Sequence, residues 1–143
     1  MIIQHLLNSL ELIWEAPTEA VLQCYSPEKL PGPWQLMLLG DGSPTRHLHL
    51  LTGKEVTIEL IAMESEPIPS KEAPIEVNEL QTPLLRRQVW LKCGADTLAW
   101  AESWWNLKEA EKHLQDKNQP IWRSLTQDRS ELFREVDGLA LVN

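Results

Sequence analysis

The sequence is short of several things that mark whole classes of protein. It has two cysteines, Cys24 and Cys93, with no C-x-x-C and no metal-ligand spacing. That excludes a disulfide scaffold and a zinc ribbon, and reads as reduced thiols. It lacks a basic excess: 13 Lys and Arg stand against 21 Asp and Glu, a formal net charge of -8. Such a chain has no general electrostatic pull toward nucleic acid or an anionic membrane. No apolar run approaches the ~20 residues that cross a bilayer. Met1-Ile2-Ile3-Gln4-His5 has no basic n-region and no small-residue cleavage site, so no export signal is read there. The expectation is a cytoplasmic protein with no nucleic-acid and no membrane partner. A small anionic ligand would need a local basic site rather than a basic surface. Internal repeats, low-complexity tracts and a βαβ rhythm are absent too.

What is present fits one globular domain of 143 residues. Ile3, Leu6, Leu7, Leu10, Ile13 and Trp14 have helical spacing up to Pro17. The proline-rich stretch Ser26–Pro33 reads as a loop. We therefore divide the chain into an N-terminal helical extension over 1–30 and a main domain over 31–143. Ser43 and Pro44 signal the start of a helix through Leu51, with Gly53 at its end. Lys54–Met63 alternates as a half-buried strand. The acidic, proline-containing stretch Glu64–Pro83 reads as a connection, with a short strand at Ile75–Leu80. Arg86–Cys93 and Thr97–Trp105 form a hairpin across Gly94-Ala95-Asp96, and Leu107–Leu114 is helical. The last segment reads as a helix, with capping-box spacing at Ser124 and Gln127 and an apolar stripe to Leu139. Gly138 fits its C-cap. Interleaved helices and antiparallel strands make the fold class α+β.

Side chains alternate along a strand. Arg87, Val89, Leu91 and Cys93 share one face; Arg86, Gln88, Trp90 and Lys92 share the other. The first face is apolar, so Arg87 is expected to point inward and Arg86 toward solvent. A buried guanidinium is costly unless paired. One reading is an internal salt bridge to Glu59 or Glu102, or a strand-end arginine that snorkels to water. The other is an anion site, because arginine grips a carboxylate through two parallel hydrogen bonds.

A series of segments then carries a family likeness. Leu38-Leu39-Gly40-Asp41-Gly42-Ser43-Pro44-Thr45-Arg46 and Gly53-Lys54-Glu55-Val56-Thr57-Ile58 resemble the opening of the chorismate pyruvate-lyase family. Arg87-Gln88-Val89-Trp90-Leu91-Lys92-Cys93 resembles its arginine-bearing strand. Ala99-Trp100-Ala101-Glu102-Ser103-Trp104-Trp105-Asn106 resembles the partner strand of cyanobacterial and plastid relatives. Pro120–Leu125 and Leu132-Phe133-Arg134-Glu135 resemble the helical region that follows. Order and spacing agree over roughly 34–139, and the collinear series is more specific than any one motif.

The resemblance implies a single antiparallel α+β domain with helical flaps over a buried site. It implies elimination of pyruvate from chorismate to give 4-hydroxybenzoate, a quinone precursor, with no cofactor and no metal. Arg87 matches the catalytic and substrate-binding arginine that holds the ring carboxylate. Ile121 matches the residue whose backbone also holds it, and Pro44 falls where a flap residue covers the ligand. The family's late-strand glutamate would lie beyond Asn143, so a C-terminally short form is expected. Either the chain is a truncated form, or its open sheet edge is covered by something else, such as a second copy in a homo-oligomer, or the short form has a different job. The alternative is a non-catalytic module on the same scaffold that binds a small aromatic or cyclic carboxylic acid.

Other groups point nowhere as clearly. His47 and His49 are two apart and do not share a helix face, so a metal site is not expected. Ser103, Ser124 and Ser130 lack a nucleophile-elbow context. Cys93, on the inward face, reads as a small core residue. The seven tryptophans read first as packing, with an aromatic wall beside a ring ligand as the functional alternative.

Overall fold

The computed structural model describes residues 10–23, 30–71, 73–118, 120–121, 123, 125 and 134–143. Along the chain run β1 (Leu12–Pro17), α1 (Thr18–Leu22), α2 (Gly32–Leu39), α3 (Pro44–Thr52) and β2 (Thr57–Glu66). A 3-10 turn (Ile75–Glu79), β3 (Leu84–Cys93), β4 (Asp96–Asn106), α4 (Leu107–His113) and β5 (Gly138–Val142) follow. The fold class is α+β with antiparallel sheets, as the sequence implies. Two compact units form: residues 1–42 with 133–143, and Ser43–Leu132. The boundary expected at residue 30 falls inside the first.

The first unit is organised by pairing between distant segments. β1 and β5 are antiparallel, with Trp14 opposite Leu141, Ala16 opposite Leu139 and Pro17 opposite Gly138. Glu11 and Asn143 exchange backbone hydrogen bonds of 3.0 and 2.9 Å beyond the strand ends. Trp14, Ala16 and Val21 are buried, with Leu30, Leu39 and Leu139 packed against them. This corrects the helix expected through Trp14, at least over its described residues. Burial of Trp14 and Ala16 around an exposed Glu15 has a period of two. A partner strand more than 120 residues away overrides the local helical spacing.

The C-terminal expectation is corrected for the same reason. Gly138 opens β5 instead of closing a helix, and a Cβ placed on it would lie 3.1 Å from the Ala16 carbonyl oxygen. Val136 and Leu139 are not helical; Leu139 lies in β5. Arg134 and Glu135 are not helical either. The Arg134 guanidinium donates to the carbonyls of Leu38 (3.2 Å), Gly40 and Gly42, closing the C-terminal end of α2. The capping pair at Ser124 and Gln127, and the stripe positions Leu132 and Phe133, lie outside the described residues.

The second unit is a three-stranded sheet in the order β2-β3-β4. α3 begins and ends as its sequence predicts. The Ser43 side chain accepts from the Arg46 N–H, Pro44 takes the first helical position, and Gly53 adopts φ 66° after the last turn. Gly94, at φ 63°, starts the turn of the expected β3–β4 hairpin. β2 extends to Glu66. Ile75–Glu79 forms a 3-10 turn rather than the expected short strand, with the Val77 N–H bonded to the Pro74 carbonyl at 3.0 Å.

Candidate ligand site on the central strand

β3 lies between two strands, and its phase is the one the sequence predicts. Arg87, Val89, Leu91 and Cys93 are all buried, and Arg87 is only 2% exposed. Structure covers this face along its length. At one end Leu85 packs with Ala110 and Leu114, joined by Met63, Trp105, Leu107 and Ile121. At the other end Thr52, in the last turn of α3, places its hydroxyl 3.6 Å from the Cys93 sulfur. Arg87 lies between these ends, across from Met63 on β2 and Ser103 on β4. Its Nη2 donates to the Lys117 carbonyl at 3.0 Å.

Burial pushes the Arg87 pKa below the ordinary arginine value, because desolvation disfavours the charged form. The group remains a cation at neutral pH, since arginine does not lose its proton in proteins. The two carboxylates considered for an internal bridge are engaged with other cations. Glu59 binds Lys92 at 2.7 Å and Glu102 binds Arg86 at 2.8 Å.

The opposite face corrects a second expectation. Arg86 does not reach into open solvent. Its guanidinium meets Glu102 at 2.8 Å and Glu66 at 3.8 Å, and sits 5.3 Å from the centre of the Trp104 ring. Glu102 also accepts from Gln88 (2.6 Å) and from the Trp104 indole (3.1 Å). Burial alone would raise the Glu102 pKa. Hydrogen bonds from Gln88, Arg86 and Trp104, with the charge of Arg86, outweigh it and hold the carboxyl below its usual value. Two carboxylates and a tryptophan ring make the burial of Arg86 tolerable, and none of the three is visible from strand phase alone.

Ile121 is half-buried in the cluster around Leu85, so it and Arg87 lie over the same face of the sheet. Pro44 is half-buried at the first position of α3. Its neighbours Ser43 and Thr45 line a cavity of about 620 Å³. Ile58 of β2, Asn118, Pro120 and Arg123 line it too. Arg87 and Ile121 are therefore brought to one sheet face, whereas Pro44 is flanked by two residues of a cavity that Arg87 does not line. Arg46 and Arg123, which line that cavity, have no role that the sequence alone reveals. The available signal is an arginine soon after each of two prolines, Pro44 and Pro120. Among the described residues there is no cluster of three or more His, Cys, Asp or Glu able to hold a metal. No described helix is long and apolar enough to cross a membrane.

A family model described as chorismate pyruvate-lyase Rv2949c-like matches residues 38–143. A Cyanophora paradoxa protein, named uncharacterized protein ycf21, is 29% identical over 136 residues, covering 93% of this chain and 69% of that protein. The ycf21 protein of Pyropia yezoensis is 30% identical over 126 residues, covering 86% and 68%. That of Porphyra purpurea is 31% identical over 124 residues, covering 83% and 64%. The matches thus span about two thirds of each relative's length.

Proposed function

The chain belongs to the Rv2949c-like chorismate pyruvate-lyase family, and on that premise we propose that it eliminates pyruvate from chorismate, leaving 4-hydroxybenzoate. In this reaction the bond between the ring and the enolpyruvyl oxygen breaks. The hydroxyl-bearing ring carbon loses its proton, the ring becomes aromatic, and the released enol becomes pyruvate. Aromatisation supplies the driving force, so orientation and charge stabilisation are the protein's main contributions. No organic cofactor or metal is required.

The observation that carries the reading is Arg87: a guanidinium 2% exposed on the covered face of the central strand. We assign it the ring carboxylate, held in a setting where a charge-assisted, bidentate pair is strong. Ile121 is assigned a backbone contact to the same carboxylate. Pro44 is assigned the flap position that covers the ligand. A buried guanidinium that grips one small ring acid is compatible with a net charge of -8, because its positive charge is local.

Mixing the protein with chorismate and following 4-hydroxybenzoate and pyruvate tests the activity directly. Equimolar release of both is expected. Binding of 4-hydroxybenzoate without turnover of chorismate would instead identify an acid-binding module on the same scaffold. With Arg87→Ala, affinity for 4-hydroxybenzoate is expected to fall by about 2–5 kcal/mol, as for loss of a buried charge-assisted pair. An unchanged affinity in calorimetry would remove Arg87 from the site.

A further inference from the structure

We propose that the cavity beside the Lys117 segment is a second carboxylate site, formed by Arg46 and Arg123, that selects ring diacids over ring monoacids. The proposal rests on the assignment of Arg87 to the ring carboxylate and adds a grip for the acid carried on the ether arm. Arg46 comes from the first turn of α3 and Arg123 from the segment after Pro120; both line the same cavity of about 620 Å³. The Arg46 side chain forms no hydrogen bond or ion pair among the described residues. Glu55 and Asp116 also line the cavity, yet neither forms an ion pair with Arg46. The Asp116 carboxylate accepts from the Asn118 N–H at 3.0 Å. A guanidinium that leaves two nearby acids unused keeps its donor fork for another carboxylate.

The segment 116–118 links this cavity to Arg87. The Lys117 carbonyl accepts from Arg87, while Asp116 and Asn118, on either side of it, line the cavity. A ring acid held at Arg87 therefore lies against the segment whose next residues open into the second site. An ether arm ending in a carboxylate can meet the Arg46 guanidinium there. The aromatic product has lost that arm and keeps only the grip of Arg87. The substrate would thus be held at two points and the product at one, which favours product release.

Calorimetric titration with two stable ring acids tests this. The probes are 3-(carboxymethoxy)benzoate, with a carboxylate on its ether arm, and 3-methoxybenzoate, without one. We expect the wild-type protein to bind the diacid at least about tenfold more tightly, the worth of one added charge-assisted contact. In the double variant Arg46→Gln, Arg123→Gln the two affinities should come within about twofold, with that for 3-methoxybenzoate unchanged. Arg87→Ala should weaken both acids. Near-ultraviolet circular dichroism checks that each variant keeps its tryptophan packing. Equal wild-type affinities, both lowered by Arg87→Ala, would overturn the second site and leave the Arg87 assignment standing. A preference for the diacid that survives in the double variant would overturn it too. If the wild-type protein bound neither acid, the Arg87 assignment would fail and this proposal with it.

Discussion

Arg86 and Arg87 are neighbours in sequence but face opposite sides of β3, and their surroundings set them different tasks. Arg86 is neutralised by Glu66 and Glu102 and covered by Trp104. Arg87 sits on the face covered by α4 and the segment after it, with its Nη2 on a carbonyl. Replacing Arg87 with lysine should therefore not rescue ligand binding, because an ammonium cannot make the planar two-point grip. Competition binding with 4-hydroxybenzoate should place Arg87→Lys nearer to Arg87→Ala than to the wild type.

Glu102 makes a prediction about acid. Its folded-state pKa lies below the unfolded value, so its carboxylate stabilises the fold above the ordinary carboxyl range. That contribution is lost as pH falls through the depressed value. The urea midpoint of wild type should exceed that of Glu102→Gln at about pH 6, and the gap should narrow as the pH is lowered below the ordinary carboxyl range. A gap that widened on acidification would contradict the assignment.

Among the elements, legibility follows the range of the interactions that decide each one. α3 can be read because its signals are local: a serine cap, a proline at the first position and a glycine after the last turn. Gly53 at φ 66° gives a direct check. Gly53→Ala should cost about 1 kcal/mol in chemical denaturation, since a Cβ there is strained even though open space surrounds it. β2, β3 and β4 can be read from alternation, including the inward phase of Arg87. β1 and β5 cannot. Each is five or six residues long, each falls in a stretch with helical spacing, and each becomes a strand through the other. The site divides in the same way. Strand phase reaches Arg87, and family likeness reaches Ile121 and Pro44. The burial of Arg86 needs partners from β2 and β4, and the shared cavity of Arg46 and Arg123 needs the fold.

At the scale of the whole molecule each compact unit carries a buried cluster of its own. One surrounds Trp14, Ala16 and Val21; the other surrounds Leu85, Ala110 and Leu114. Damage to the first should therefore leave the sheet that carries Arg87 in place. Gly138→Val brings a branched side chain against the Ala16 carbonyl oxygen, only 3.1 Å from where its Cβ would stand. Hydrogen exchange should speed up over Leu12–Pro17 while Leu84–Cys93 keeps its protection. Equal loss in both segments would mean that the two clusters unfold as one.

The pairing of β1 with β5 also sets a timetable for biosynthesis. Pro17 leaves the ribosome 121 residues before Gly138, its partner in the register. At about 5–20 residues per second that is a wait of roughly 6–24 s. Through that interval Trp14 and the backbone donors of β1 wait for their partner strand, and in its later part, once Asn106 has been made, the β2–β3–β4 sheet can already assemble. β1 is thus made before the three-stranded sheet and secured only after it, so its pairing is a late, post-sheet event in the life of the chain.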